Sequence, residues 1–359
     1  MKKRFFVVLM VLMMGFSLFA AGCGQNAPEA PKQQASGDEQ ADKDQGQDKK
    51  ALKAAMATDV GGVHDQSFNQ SAWEGLQRAE KELGVEANYI ESQQEADYGP
   101  NLETLYDAGN DLIWGVGYMM AGAIKEAAEK NPDQNYAIID FAYGDESPEN
   151  VVGVVFKAEQ SSFLVGYIAG KMTKTGKIGF VGGKRGFIID AFEYGFRAGV
   201  KYADKDAEVA IQYADSFTDA AKGKAIANQM YQNGADIVFH AAGGVGLGVI
   251  ESAKENEKQV IGVDRDQNSL APDHVITSAM KRVDNGMYNT VKAMAEDKLP
   301  VGETVVYGLA EGGVDIAPTS DKHVPAEILD EIATLKQEII DGKITVPFNE
   351  ETFNEFKAE

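Results

Sequence analysis

Short apolar runs alternate with amphipathic segments along this chain, and that order constrains its fold more than any other feature. From Ala51 onward, apolar stretches of strand length are separated by segments carrying Ala, Lys, Glu and Leu at helical spacing. Strands are expected near 52–57, 88–90, 112–116, 136–140 and 151–156, and again near 177–181, 209–213, 236–239, 260–263 and 275–278. The strand–helix order runs once from Ala51 to Asp140 and a second time from Lys177 to Asp264. Such an order predicts α/β architecture with parallel sheets. The two runs predict two domains, 51–157 and 158–282, with a hinge near 156–161. A segment at about 283–316 is expected to cross back to the first domain, and a helix over 325–340 to pack on one of the two.

Open α/β sheets bind ligands beyond the carboxyl ends of their strands. The residues expected there are Asp59, 115–117, Asp140, 182–187, Ser216, Phe217, 240–244 (with Gly243) and Asp264. The first of these ends is the most informative. Gly61 and Gly62 allow a tight turn after the strand. Ser67 and Gln70 have the spacing of a capping box, which predicts a helix start there. Ala72, Trp73, Leu76, Ala79 and Leu83 follow at helical spacing. A strand, turn and helix of this kind present Asp59, Phe68 and Asn69; a plain βα turn uses the same Asp and Asn to shape itself. Trp73, Phe192 and Phe196 sit at helix-face spacing and read as core. Phe68 and Phe217 flank polar residues at strand ends, where a core ring is less expected, and Phe187 is a third candidate. Acceptors, flat rings and close backbone approach suit a neutral, polyhydroxylated ligand with a flat part, whereas carboxylates repel a phosphate.

Several catalytic signatures are imitated without being completed. Gly244, Gly246 and Gly248, with Asp264 further on, resemble a dinucleotide fingerprint, but Val249 stands where its last glycine belongs. Gly182-Gly183-Lys184-Arg185 lacks the hydroxyl residue and the spacing of a P-loop. His64, His240, His274 and His323 have no metal-ligand spacing, and no nucleophile elbow is present, so no metal or cofactor is expected. Asp59, Asp140 and Asp264 keep a nucleoside hydrolase or glycosidase open as the enzymatic alternative. A formal net charge of −22 argues against nucleic-acid binding, which needs clustered Lys and Arg.

The first residues read as an export signal over 1–22: Lys2, Lys3 and Arg4, an apolar run, then small residues before Cys23. Cys23 is the sole cysteine, which makes an intrachain disulfide impossible and lipidation the expected use of the thiol. The site resembles a bacterial lipobox, with Ala20 where Leu is usual. The stretch to Lys50 is poor in apolar residues and is expected to be a disordered tether. As a flexible coil of about 27 residues it reaches roughly 30 Å. Anchoring at the extracytoplasmic face of a cell membrane follows from this reading.

The stretch Thr58-Asp59-Val60-Gly61-Gly62-Val63-His64-Asp65-Gln66-Ser67-Phe68-Asn69 resembles the opening motif of the BMP (basic membrane protein) lipoproteins, substrate-binding proteins of ABC importers that include purine nucleoside receptors. The resemblance continues through 159–166, 176–183, 192–199, 241–246, 262–264 and 277–281. It implies a two-lobed periplasmic-binding fold of type I, each lobe a parallel sheet flanked by helices, with ligand held between lobes and no catalysis. It also implies permease and ATPase partners in the membrane. In the nucleoside receptors two aromatic rings sandwich the base and carboxylates hold the ribose. Carried over, Asp59, Phe68, Asn69, Asp140 and Asp264 match, with Phe217 as the second ring and Gly243 and Lys281 as further cleft residues. A same-fold receptor for another solute and a surface adhesion lipoprotein are the remaining alternatives.

Overall fold

The computed structural model describes residues 51–358. The export signal, Cys23 and the tether lie outside the described residues.

Two sheets of six strands are built from the two runs. The first run folds as β1 (Lys53–Thr58), α1 (Phe68–Leu83), β2 (Glu86–Ile90), α2 (Tyr98–Asp107), β3 (Leu112–Val116), α3 (Ala121–Lys130), β4 (Asn135–Ile139) and β5 (Val151–Phe156). The second contains α4 (Ala158–Met172), β6 (Lys177–Gly182), α5 (Phe187–Ala203), β7 (Glu208–Tyr213) and α6 (Ala220–Gln232). It continues with β8 (Ile237–Ala241), α7 (Val245–Glu255), β9 (Gln259–Asp264) and β10 (Val275–Lys281). After these come α8 (Val283–Ala295), β11 (Thr304–Tyr307), β12 (Val314–Ile316), α9 (Ala326–Ile340) and α10 (Glu350–Glu355).

The sheet orders are β11-β5-β4-β3-β1-β2 and β12-β10-β9-β8-β6-β7. Every pairing is parallel except β12 against β10. Helices cover both faces, so the central strands are mostly apolar; β3 and β8 are buried along their whole length. The edge strands β2 and β7 are mostly exposed or half-buried. That polarity is why the apolar signal marked only the last part of β2. Among the described residues no helix is long and apolar enough to cross a membrane.

The chain passes between the lobes three times, at β5–α4, β10–α8 and β11–β12. The Lys157 amide donates to the Tyr307 carbonyl at 2.8 Å, and the Arg282 amide to the Gly313 carbonyl at 2.8 Å, which ties these passages together. β11 extends the first sheet beside β5. The returning segment, expected to stay in the first lobe to 316, differs at its end: β12 pairs with β10 in the second sheet. Its three residues are too short to read as a strand from their own pattern. The C-terminal α9 packs on α4.

α4 and α5 meet at backbone distance. A Cβ at Gly199 would stand 2.0 Å from the Phe163 carbonyl oxygen, and one at Gly166 would stand 2.2 Å from that of Phe196. Ser162 Oγ donates to the Phe192 carbonyl at 2.6 Å within the same contact. A side chain at Gly199 has nowhere to go unless the helices separate. Gly199→Val is expected to lower unfolding free energy by about 3 kcal/mol or more, despite the better helix propensity of Val. Urea denaturation of the two proteins checks this; equal midpoints would show that the helices are not held by that contact.

Candidate functional site

The turn after β1 is organised by carboxylates. Asp59 Oδ1 accepts the Gly61 amide at 2.8 Å and the Asn69 Nδ2 at 2.8 Å. A Cβ at Gly61 would stand 2.7 Å from Asn69 Nδ2, so only glycine leaves the amide in place. The expected capping box is not formed. Ser67 occupies the N-cap of α1 but makes no side-chain cap bond. Asp65 does that work: it accepts the amides of Ser67 at 2.8 Å, Asn69 at 2.9 Å and Gln70 at 3.1 Å. A carboxylate satisfies orphan amides and suits the positive end of the helix dipole. The Ser67 hydroxyl is thereby free to donate to Asp264 Oδ2 at 2.5 Å, across to the other lobe.

Asp140 and Asp264 stand at the ends of β4 and β9, both in the left-handed region with φ of 66° and 63°. Asp is among the few residues that tolerate this conformation, and the sharp exit turns each side chain out of the sheet line. Lys281, at the end of β10, donates to Asp140 Oδ2 at 2.5 Å, with both side chains almost fully buried. Its ammonium also lies 4.6 Å from the centroid of the Phe68 ring, a cation–π position. Asp140 Oδ1 and Asn69 Oδ1 are buried with no protein partner.

These residues share one cleft between the lobes. Asp59, Phe68, Asn69, Asp140, Phe217, Gly243, Asp264 and Lys281 all line it. So do residues that the sequence reading passed over: Asp65, Tyr118, Ile188, Ile189 and Phe192. Phe192 was read as core from its helical spacing. It is indeed buried, yet it also forms cleft wall, with the Lys281 ammonium 5.8 Å from its ring. Asp65 lay inside the opening motif, and only the more obvious capping pattern hid it.

Other candidates fall elsewhere. Phe187 is 54% exposed and sets its ring edge-on to Tyr118 across the rim, at 5.4 Å. Ser216 accepts the amides of Thr218 and Asp219, a turn role. The glycines of the apparent dinucleotide motif serve packing: a Cβ at Gly248 would stand 1.8 Å from the Ala220 carbonyl oxygen, and one at Gly246 2.1 Å from the His240 ring. Lys184 pairs with Glu95 on the rim at 3.7 Å. Further contacts draw the lobes together. Arg265 grips Glu74 with two bonds of 3.1 and 2.6 Å, and Gln267 Nε2 donates to the Gln66 carbonyl at 3.0 Å.

Burial pushes the Asp59 carboxyl up to about 6, against the pull of the Gly61 amide and the Asn69 side chain. Burial likewise pushes Asp264 up to about 6, with Lys281 and the Ser67 hydroxyl restraining the rise. A carboxyl whose pKa is higher in the folded than in the unfolded chain binds its proton more tightly when folded. Its contribution is fully present below the unfolded value of 3.8 and is lost as pH rises through 6. The stability of the ligand-free protein minus that of Asp59→Asn should therefore be about 2 kcal/mol larger at pH 4.5 than at pH 7.5. Denaturant titrations of both proteins at the two pH values read this difference, and a flat one would mean that Asp59 is not desolvated.

The family model described as "ABC transporter substrate-binding protein PnrA-like" matches residues 52–350. The chain is 40% identical to a CD4+ T-cell-stimulating antigen of Listeria innocua, over 97% of this chain and 99% of that one. It is 44% identical to basic membrane protein A of Borreliella burgdorferi, over 83% of this chain and 89% of that one. It is 42% identical to an ABC transporter nucleoside-binding protein of Lactococcus lactis, over 84% of this chain and 91% of that one. A solved solute-binding protein of an ABC transporter system from Aeropyrum pernix superposes with a TM-score of 0.77 at 29% identity, covering 85% of this chain and 96% of that one. With the match running through both lobes and the cleft, the chain belongs to the BMP family of PnrA-like substrate-binding proteins of ABC transporters.

Proposed function

We propose that this protein captures a purine nucleoside between its lobes and delivers it to a membrane permease for import, without chemical change. The observation that carries the reading is that two rings from opposite halves of the chain, Phe68 and Phe217, line one cleft walled by hydrogen-bond acceptors. A planar base fits between rings, and ribose hydroxyls supply donors to carboxylates. The nucleoside-binding name of the Lactococcus relative supports the same solute class. Four carboxylates and one ammonium among the lining side chains disfavour a nucleotide, whose phosphate they repel. The family description and the name of the Lactococcus relative, both of binding proteins, favour binding over the hydrolase alternative.

Stacking of a base on an aromatic side chain is worth roughly 1–3 kcal/mol. Phe68→Ala should therefore weaken purine-nucleoside binding by about one to two powers of ten. Phe68→Trp should keep most of the affinity, because the π-face survives. Titration calorimetry with inosine, adenosine, guanosine, the free bases and ribose tests this, and the ligand recovered afterwards should be intact. Unchanged affinity in Phe68→Ala, or release of free base, would sink the proposal.

We also propose that Cys23 carries a lipid and that 24–50 form the tether to the extracytoplasmic face of the membrane. An exported Cys23→Ser protein should appear in the soluble fraction. Its retention on membranes, with the signal removed, would contradict the anchor.

A further inference from the structure

Asn69 is a side chain that can offer a ligand either a donor or an acceptor, depending on which way its amide points. Here the choice is made by two carboxylates. Its Nδ2 donates to Asp59 Oδ1 at 2.8 Å and to Asp65 Oδ2 at 3.1 Å, so both hydrogens are used. Turning the amide over would aim its oxygen at two carboxylate oxygens. The oxygen that remains, Oδ1, is buried with no protein partner, and Asn69, 2% exposed as a whole, lines the cleft.

Asp65 has no capacity left to bind a ligand itself. Its Oδ1 accepts the Ser67 and Gln70 amides, and its Oδ2 accepts the backbone and side-chain nitrogens of Asn69. A carboxylate offers about four lone-pair sites, and all are taken. Its position is fixed by the first turn of α1, which makes it a rigid reference for the amide beside it. We infer that Asp65 is a positioning residue that locks Asn69 as an acceptor-only group, so that this part of the cleft selects ligands presenting an N–H or O–H to it. The inference deepens the nucleoside reading and rests on it for the choice of probe.

The test is a cycle between protein and ligand. Inosine is compared with analogues that each lack one donor: 1-methylinosine and the 2′-, 3′- and 5′-deoxy forms. In the wild-type protein, removal of the donor that faces Asn69 should cost at least tenfold in affinity. In Asp65→Asn one of the two carboxylates that orient the amide is gone and only Asp59 still holds it, and that one penalty should shrink several-fold while the other penalties persist. Penalties that all persist, or that shrink together, would overturn the positioning role and leave Asp65 as a helix cap only. A wild-type protein that binds no nucleoside would instead count against the nucleoside reading, and a second measurement serves in that case or if Asp65→Asn does not fold. The side-chain N–H pair of Asn69, assigned in a ¹⁵N–¹H spectrum by its loss in Asn69→Ala, should show both hydrogens protected from exchange without ligand. Rapid exchange of that pair would overturn the lock directly.

Discussion

The bond on which the two lobes depend is the buried pair of Asp140 and Lys281. Asp140 closes a strand of the first sheet and Lys281 a strand of the second, so the pair spans the cleft at its floor. Removing two charges from water costs several kcal/mol per ion, and only good geometry with further partners offsets it. Lys281 has such a partner in the Phe68 face. Asp140 has one oxygen left over. The pair is therefore a device that holds the lobes in register and leaves an acceptor for something else. Lys281 sits immediately before one of the three chain passages.

Around that floor some of the remaining contacts between lobes lie nearer the solvent. Arg265 with Glu74 and Lys184 with Glu95 are partly exposed ion pairs, of the kind that contributes little by itself. Ser67 with Asp264 is buried, and it exists because Asp65 has taken over the helix cap. Local helix chemistry and closure of the cleft are thus one arrangement. A change in who caps α1 is also a change in what reaches across to the second lobe.

The alternation of apolar and amphipathic segments carried the layered α/β architecture, because the strands of the sheet interiors are mostly apolar and buried. Strand ends followed from the strands, and with them Asp59, Asp140, Phe217, Gly243 and Asp264. Less was legible where a role depends on a partner far away in the chain. Ser67 reads as a cap from its neighbours, and its true partner stands almost two hundred residues on, at Asp264. Phe192 reads as core because a helix face buried against a sheet and one buried against a cleft have the same periodicity. β12 was missed for a different reason: three residues borrow their conformation from the neighbouring strand and carry no pattern of their own.

Apart from the edge strands β11 and β12, the two lobes repeat one topology, yet the cleft between them is asymmetric, and particular residues make it so. β4 and β9 hold the same place in their sheets, and each ends in an Asp with left-handed backbone. The equivalence stops at β1 and β6. Asp59 follows β1, and its carboxylate fills the space beyond the strand. Gly183 follows β6, where even a Cβ would stand 2.2 Å from the Phe217 ring. The position that carries an acceptor in one lobe is emptied in the other to seat an aromatic face. The first lobe's own ring, Phe68, is displaced to the helix that follows. A symmetric pair of sheets thereby presents acceptors mainly from one side and ring and glycine backbone from the other.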